Sequence, residues 1–176
     1  MIYTGIGSRE TPYSILTSFF QIGWYMGAKE HCLRSGGANG ADLYFEKGCN
    51  IVQGKKEIYL PWKNFNNNSS SLYIYNEEVL KLAEYYHPYW KNLSEVSKKF
   101  HIRNVCQVLG ENLDQPSDVL ICYTKEGREI GGTSQAIRIA KDYHIPIFNA
   151  GSYSNSEDFM QHLWKFVQKK QGEYNV

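Results

Sequence analysis

The sequence predicts an α/β fold: a doubly wound, mainly parallel, Rossmann-like sheet with helices on both faces. Two observations predict it. Short apolar, β-branched runs alternate with amphipathic helical patterns along almost the whole chain. Three glycine-bearing stretches sit directly after strand-like runs: Gly5-Ile6-Gly7-Ser8-Arg9, Arg34-Ser35-Gly36-Gly37-Ala38-Asn39-Gly40-Ala41-Asp42 and Gly131-Gly132-Thr133-Ser134. In doubly wound folds ligands bind beyond the carboxyl ends of the strands, where the strand order reverses. The three glycine loops are expected to converge there.

The elements follow in order. Residues 1–6 read as the first strand, and Thr11-Pro12 starts a helix with Thr as cap and Pro at the first helical position. Ile15, Phe19, Ile22 and Met26 give that helix a buried face, and Gly23 and Gly27, one turn apart, are expected to let it approach the sheet closely. Residues 32–35 form a second strand, 42–47 a helix and 57–61 a third strand. An Asn-rich loop follows, and its stretch 64–71, long and polar, is a lid candidate. A helical pattern over 76–109, broken at His87-Pro88, exceeds a simple crossover and is expected to form a helical insert, about 76–110, capping the sheet. Residues 117–123 are the clearest buried strand, 132–143 a helix, 145–149 the last strand and 157–169 a C-terminal helix.

The length of 176 residues suits a single domain over 1–176. The net charge of +1 gives no global field towards nucleic acid or an anionic membrane. No apolar run approaches membrane length, and the chain opens in a strand without a charged leader. Cys32, Cys49, Cys106 and Cys122 show neither CxxC nor zinc spacing and read as reduced residues of a cytoplasmic protein. The five histidines lack metal spacing, so neither a metal nor a cofactor is expected.

The glycine loops suggest what is bound. Glycines at a strand-to-helix junction permit a tight turn and close approach of the backbone, and the first amides of the following helix have no intrahelical partner. With the helix dipole they favour an anion, most often a phosphate. On this reading Gly7, Gly36, Gly37, Gly40, Gly131 and Gly132 supply amides, and Ser8, Ser35 and Thr133 supply hydroxyls, unless those three only cap turns. Asn39 belongs to the same site. Arg9 either forks onto a phosphate or pairs with Glu10, and Arg128 either reaches the ligand or is solvated. Trp62 and Phe65 either stack on a base or pack under a cap. Asp42, in the first turn of its helix, either benefits from the dipole or meets a ribose hydroxyl. Tyr85, Tyr86, Tyr89 and Trp90 read as core or subunit interface.

The stretches at residues 3–12, 34–42 and 131–133 resemble the SLOG superfamily, and within it the branch like DNA-processing protein A in its small stand-alone form. The resemblance spans residues 1 to about 149. It implies a Rossmann-like fold and a nucleotide-type ligand held by the glycine loops. It also implies three possible activities: single-strand DNA binding, hydrolysis of nucleoside monophosphates by a phosphoribohydrolase, and sensing of nucleotide signals. The phosphoribohydrolases carry carboxylates just after a Gly-Thr pair. Here Gly132-Thr133 is followed by Ser134, Gln135 and Ala136, none of them an acid. Gln135 can bond a ribose or a base but cannot shuttle a proton. That departure favours binding without turnover. If the protein is an enzyme, Glu46 and Asp42 are the catalytic candidates.

DNA binding would call on basic clusters such as Lys98, Lys99, His101 and Arg103, which also read as a solvated helix face. The expectation is therefore a homo-oligomeric cytoplasmic protein that holds an ADP-ribose-derived or cyclic nucleotide as a sensor or a sponge. Encoded by a phage, it would act as an anti-defence protein. A nucleotide N-glycosidase and a single-strand DNA binder are the alternatives.

Overall fold

The structure, a computed structural model, describes residues 1–174. Five strands form one parallel sheet: β1 (Ile2–Gly7), β2 (Cys32–Ser35), β3 (Lys56–Ile58), β4 (Val119–Tyr123) and β5 (Ile147–Asn149), in the order β3-β2-β1-β4-β5. The chain winds outward from β1 to β3, then crosses back to place β4 on the other side of β1. The reversal therefore falls between β1 and β4. Their register pairs Tyr3 with Val119 and Gly7 with Tyr123. The predicted fold class is observed.

Both faces of the sheet are covered, so the central strands are apolar on both sides. Tyr3, Leu33, Val119 and Ile121 face a core closed by α1 (Tyr13–Ala28), α2 (Ala41–Ile51) and α6 (Ser156–Tyr174), with Phe19, Phe45 and Phe159 at its centre. Ile6, Leu120 and Cys122 face the other core, closed by α3 (Glu77–Tyr85), α4 (Glu95–Leu109) and α5 (Thr133–Asp142). The rings of Phe19 and Phe45 stack at 4.2 Å between centroids.

Several local expectations are corrected. Thr11 does not cap α1: its hydroxyl donates to Ser8 O at 2.6 Å, and Pro12 is the capping residue. Gly23 lets α1 approach α2 rather than the sheet, because a Cβ there would collide with Phe45 O, and one at Gly48 would collide with Phe20 O. The helix starting near residue 42 runs on to Ile51, through Gly48. The Asn-rich loop is tied down: Asn66 donates to Gly37 O at 2.9 Å, Asn68 to Glu46, and Ser70 to Ile58 O. Within the helical segment, α4 is the crossover helix that lies on the sheet. It is buried from His101 to Leu109, and its Gln107 O accepts from Thr4 Oγ1 at 2.7 Å. Of the aromatics around Pro88, Tyr86 and Trp90 are core, while Tyr85 and Tyr89 are exposed. No helix among the described residues is long and apolar enough to cross a membrane.

Candidate functional site

The β1/β4 reversal opens into a cavity of about 510 Å³, within the range that small-molecule sites occupy. Three strand ends and one helix build it. The end of β1 contributes Gly7, Ser8, Arg9 and Glu10; the β2–α2 connection contributes Ala38 and Asp42. The β4–α5 connection contributes Thr124, Lys125, Ile130, Gly131, Gly132 and Thr133, and α4 supplies Ser97, Phe100, His101, Arg103 and Asn104.

Gly131, at φ +71°, turns the chain into α5, and Gly132 caps that helix without a side-chain bond. A ten-residue helix thus begins at the cavity wall, with its first amides unpaired within the helix. Thr133 is the first helical residue rather than the cap, and the Ser134 hydroxyl closes the turn by donating to Gly131 O at 2.7 Å.

On the opposite wall, Arg103 Nη1 donates to Asp42 Oδ2 at 2.9 Å. Asp42 is 1% exposed and Arg103 7%. Burial pushes the Asp42 carboxyl above its ordinary range, against the pull of the Arg103 guanidinium and of the nearby Ala38 and Gly7 amides. Arg103 Nε, Asp42 Oδ1 and Asn104 Oδ1 are buried without a hydrogen-bond partner of good geometry. Arg9 and Arg103 both lie over the Phe100 ring, 5.4 and 5.6 Å from its centroid. Among the described residues Arg9 makes no ion pair.

Of the residues singled out from sequence, Gly7, Ser8, Arg9, Asp42, Gly131, Gly132 and Thr133 come together here. His101 and Arg103, expected only as part of a basic cluster, line it too, and the other residues expected to hold the ligand stand outside the lining. The Ser8 hydroxyl also accepts from Glu10 N at 3.1 Å, so it shapes the turn as well. Ser35 donates to Gly5 O at 2.8 Å and ties β2 to β1. Gly36 makes room for the ion pair: a Cβ there would overlap Arg103 Nη1 and come within 2.7 Å of Asp42 Oδ2. Gly37, at φ +63°, packs by Leu60 and Ile58. Gly40, at φ +88°, abuts the first loop, where its Cβ would meet Arg9 Cα at 2.8 Å. Asn39 is exposed. Trp62 packs edge-on against Phe65 and Phe100, and Arg128 pairs with Glu126 at 2.6 Å on the surface. Glu46 faces away, pairing with Lys56 at 3.0 Å and accepting from Asn68. Gln135 is wholly buried behind α4.

The α4 wall was visible in the sequence only as a basic cluster that DNA binding would call on, not as part of the glycine-loop site. His101 and Arg103 read there as part of a basic helix face. The signal that could have separated them was spacing: Phe100, Arg103 and Asn104 recur at helical intervals, with Lys98 across the helix from them.

No protein-family model matches the chain, and no match was found among curated proteins. Two solved structures share its fold. One is DNA processing protein A from Helicobacter pylori, described for its single-stranded DNA binding mode. It is 16% identical, with a TM-score of 0.54 over 95% of this chain and 72% of that one. The other is the Chlamydomonas rheinhardtii Moco carrier protein, 13% identical, with a TM-score of 0.57 over 95% of this chain and 97% of that one. Both are Rossmann-like folds. At these identities the likeness is one of fold.

Proposed function

We propose that this protein binds a phosphorylated nucleotide metabolite in the β1/β4 cavity and holds it without turnover. One observation carries the reading. The amino end of α5 and the guanidiniums of Arg9 and Arg103 open on the same cavity, and the lining residues Arg103 and Asn104 each keep a buried polar atom, Nε and Oδ1, without a protein hydrogen-bond partner. A helix amino end, two guanidiniums and glycine backbone suit a phosphate. The apolar surface of Ile6, Phe100 and Ile130 suits the rest of a nucleotide.

The acids support binding over hydrolysis. Glu46 is turned away and Asp42 is engaged by Arg103. Glu10 is exposed at the rim and makes no ion pair among the described residues. The name of the Moco carrier protein describes holding rather than converting a ligand, and a sponge or sensor is the same kind of role. The single-stranded DNA binding of the Helicobacter pylori neighbour supports a second reading, in which the cavity takes a phosphate of a DNA strand.

The test is to incubate the purified protein with ADP-ribose derivatives, cyclic dinucleotides, nucleoside monophosphates and single-stranded DNA, remove the free ligand, denature, and chromatograph what was held. Release of an unchanged nucleotide is the expected result. Appearance of free base over time would replace binding with glycosidic hydrolysis. Retention of the DNA alone would favour the second reading.

A further inference from the structure

Behind the cavity wall a chain of amides fixes the orientation of two lining residues. Gln135 Nε2 donates to Ala83 O at 2.9 Å, so Gln135 Oε1 must face the other way. It lies 2.9 Å from His101 Nδ1 and 3.4 Å from Asn104 Nδ2. An amide oxygen only accepts, so His101 carries its proton on Nδ1 and leaves Nε2 with a lone pair. Asn104 Nδ2 also donates to Gly132 O at 3.1 Å, which turns Asn104 Oδ1 away, buried and without a partner. His101 and Asn104 sit one turn apart on α4, and both line the cavity.

We propose that His101 Nε2 and Asn104 Oδ1 form a paired acceptor that reads the vicinal hydroxyls of a ribose. Gln135 is the positioning residue that holds both acceptors. The inference rests on the phosphate reading above, and it deepens that reading by naming the sugar. Two acceptors one helical turn apart match two adjacent O–H donors. Their place fits the sugar rather than the base. Asn104 is bonded to Gly132, at the phosphate end of the cavity, and in a nucleotide the sugar is the unit attached directly to the phosphate.

Burial holds the His101 ring neutral, with a pKa lowered to about 4, opposed by the Gln135 bond and reinforced by His87, Arg138 and Arg103. His87 packs on the ring at 4.2 Å between centroids. Nε2 is therefore an acceptor throughout the neutral range.

The experiment is calorimetric titration of the whole protein with ribose 5-phosphate, 2-deoxyribose 5-phosphate and inorganic phosphate. Ribose 5-phosphate is expected to bind at least about tenfold more tightly than the deoxy sugar, because the latter leaves a buried acceptor unmet. Asn104→Leu and Gln135→Leu should bring that ratio close to one. Nitrogen NMR should find the Nδ1–H tautomer of His101 in the wild type and its loss in Gln135→Leu, which a purely structural glutamine would not produce. Equal binding of the two sugars, with phosphate still bound, would overturn the inference and leave the phosphate reading standing. A ratio that survives both variants would overturn the assignment to α4. Failure of all three probes to bind would overturn both.

Discussion

Arg103 Nη1 and Asp42 Oδ2 meet at 2.9 Å beneath the cavity, and the Cα of Gly36 lies against them where a side chain would not fit. Removing one member of such a buried pair strands the other charge, at a cost of about 3–5 kcal/mol. Arg103→Met is therefore expected to lower unfolding free energy by several kcal/mol in urea titrations and to abolish retention of nucleotide. Asp42→Asn combined with Arg103→Met should recover most of the stability and none of the binding. A double variant that binds like the wild type would show that the guanidinium is structural only.

The glycines divide into two kinds, and alanine substitution should separate them. Gly36→Ala must push Arg103 aside and is expected to cost about 1–3 kcal/mol, as overpacking does. It should also weaken ligand retention. Gly132 has helical dihedrals and no atom within 4 Å of its missing Cβ. Gly132→Ala should leave the thermal midpoint within a few degrees of the wild type while weakening phosphate binding, since it adds a methyl to a residue that lines the cavity. Thermal melts paired with calorimetry on the two variants check both halves.

The stability of the protein should depend on pH through His101. Its pKa falls from 6.5 to about 4 on folding, so the unfolded chain binds more protons than the native one in between. Stability is then full above pH 6.5 and lost as pH falls towards 4, by up to about 3 kcal/mol for this residue at 1.36 kcal/mol per pKa unit. His31 and His87, also lowered by burial, act in the same direction. Urea titrations at pH 7 and pH 4.5 should show the drop, and His101→Gln should reduce it. An unchanged drop in that variant would assign the effect to other groups.

The fold was legible because its signals are local. The apolar run Val119–Cys122 and the glycines after β1, β2 and β4 mark strand ends without reference to anything distant. One half of the site was legible for the same reason: Gly7, Ser8, Arg9, Gly131, Gly132 and Thr133 lie where a parallel sheet must place them. The other half depends on a long-range contact. Nothing near Arg103 in the chain says that it will be buried against Asp42, and nothing near Gly36 says that its missing side chain serves a helix beginning at Glu95. The glycines of the central loop have the same composition whether they contact a ligand, turn the chain tightly or, as Gly36 does, leave space for a guanidinium. Glu46 was ambiguous because its orientation is set by Lys56 and Asn68, which belong to other elements.

The fit of Arg103 against Gly36 has a consequence for inheritance. The two positions are bound by mutual exclusion: a lineage that replaces the arginine with a shorter residue relieves the requirement for glycine, and one that acquires a side chain at 36 must first lose the arginine. Drift at either position is therefore conditional on the other. Descendants of this chain that keep the arginine should keep the glycine, whatever becomes of the loops around them.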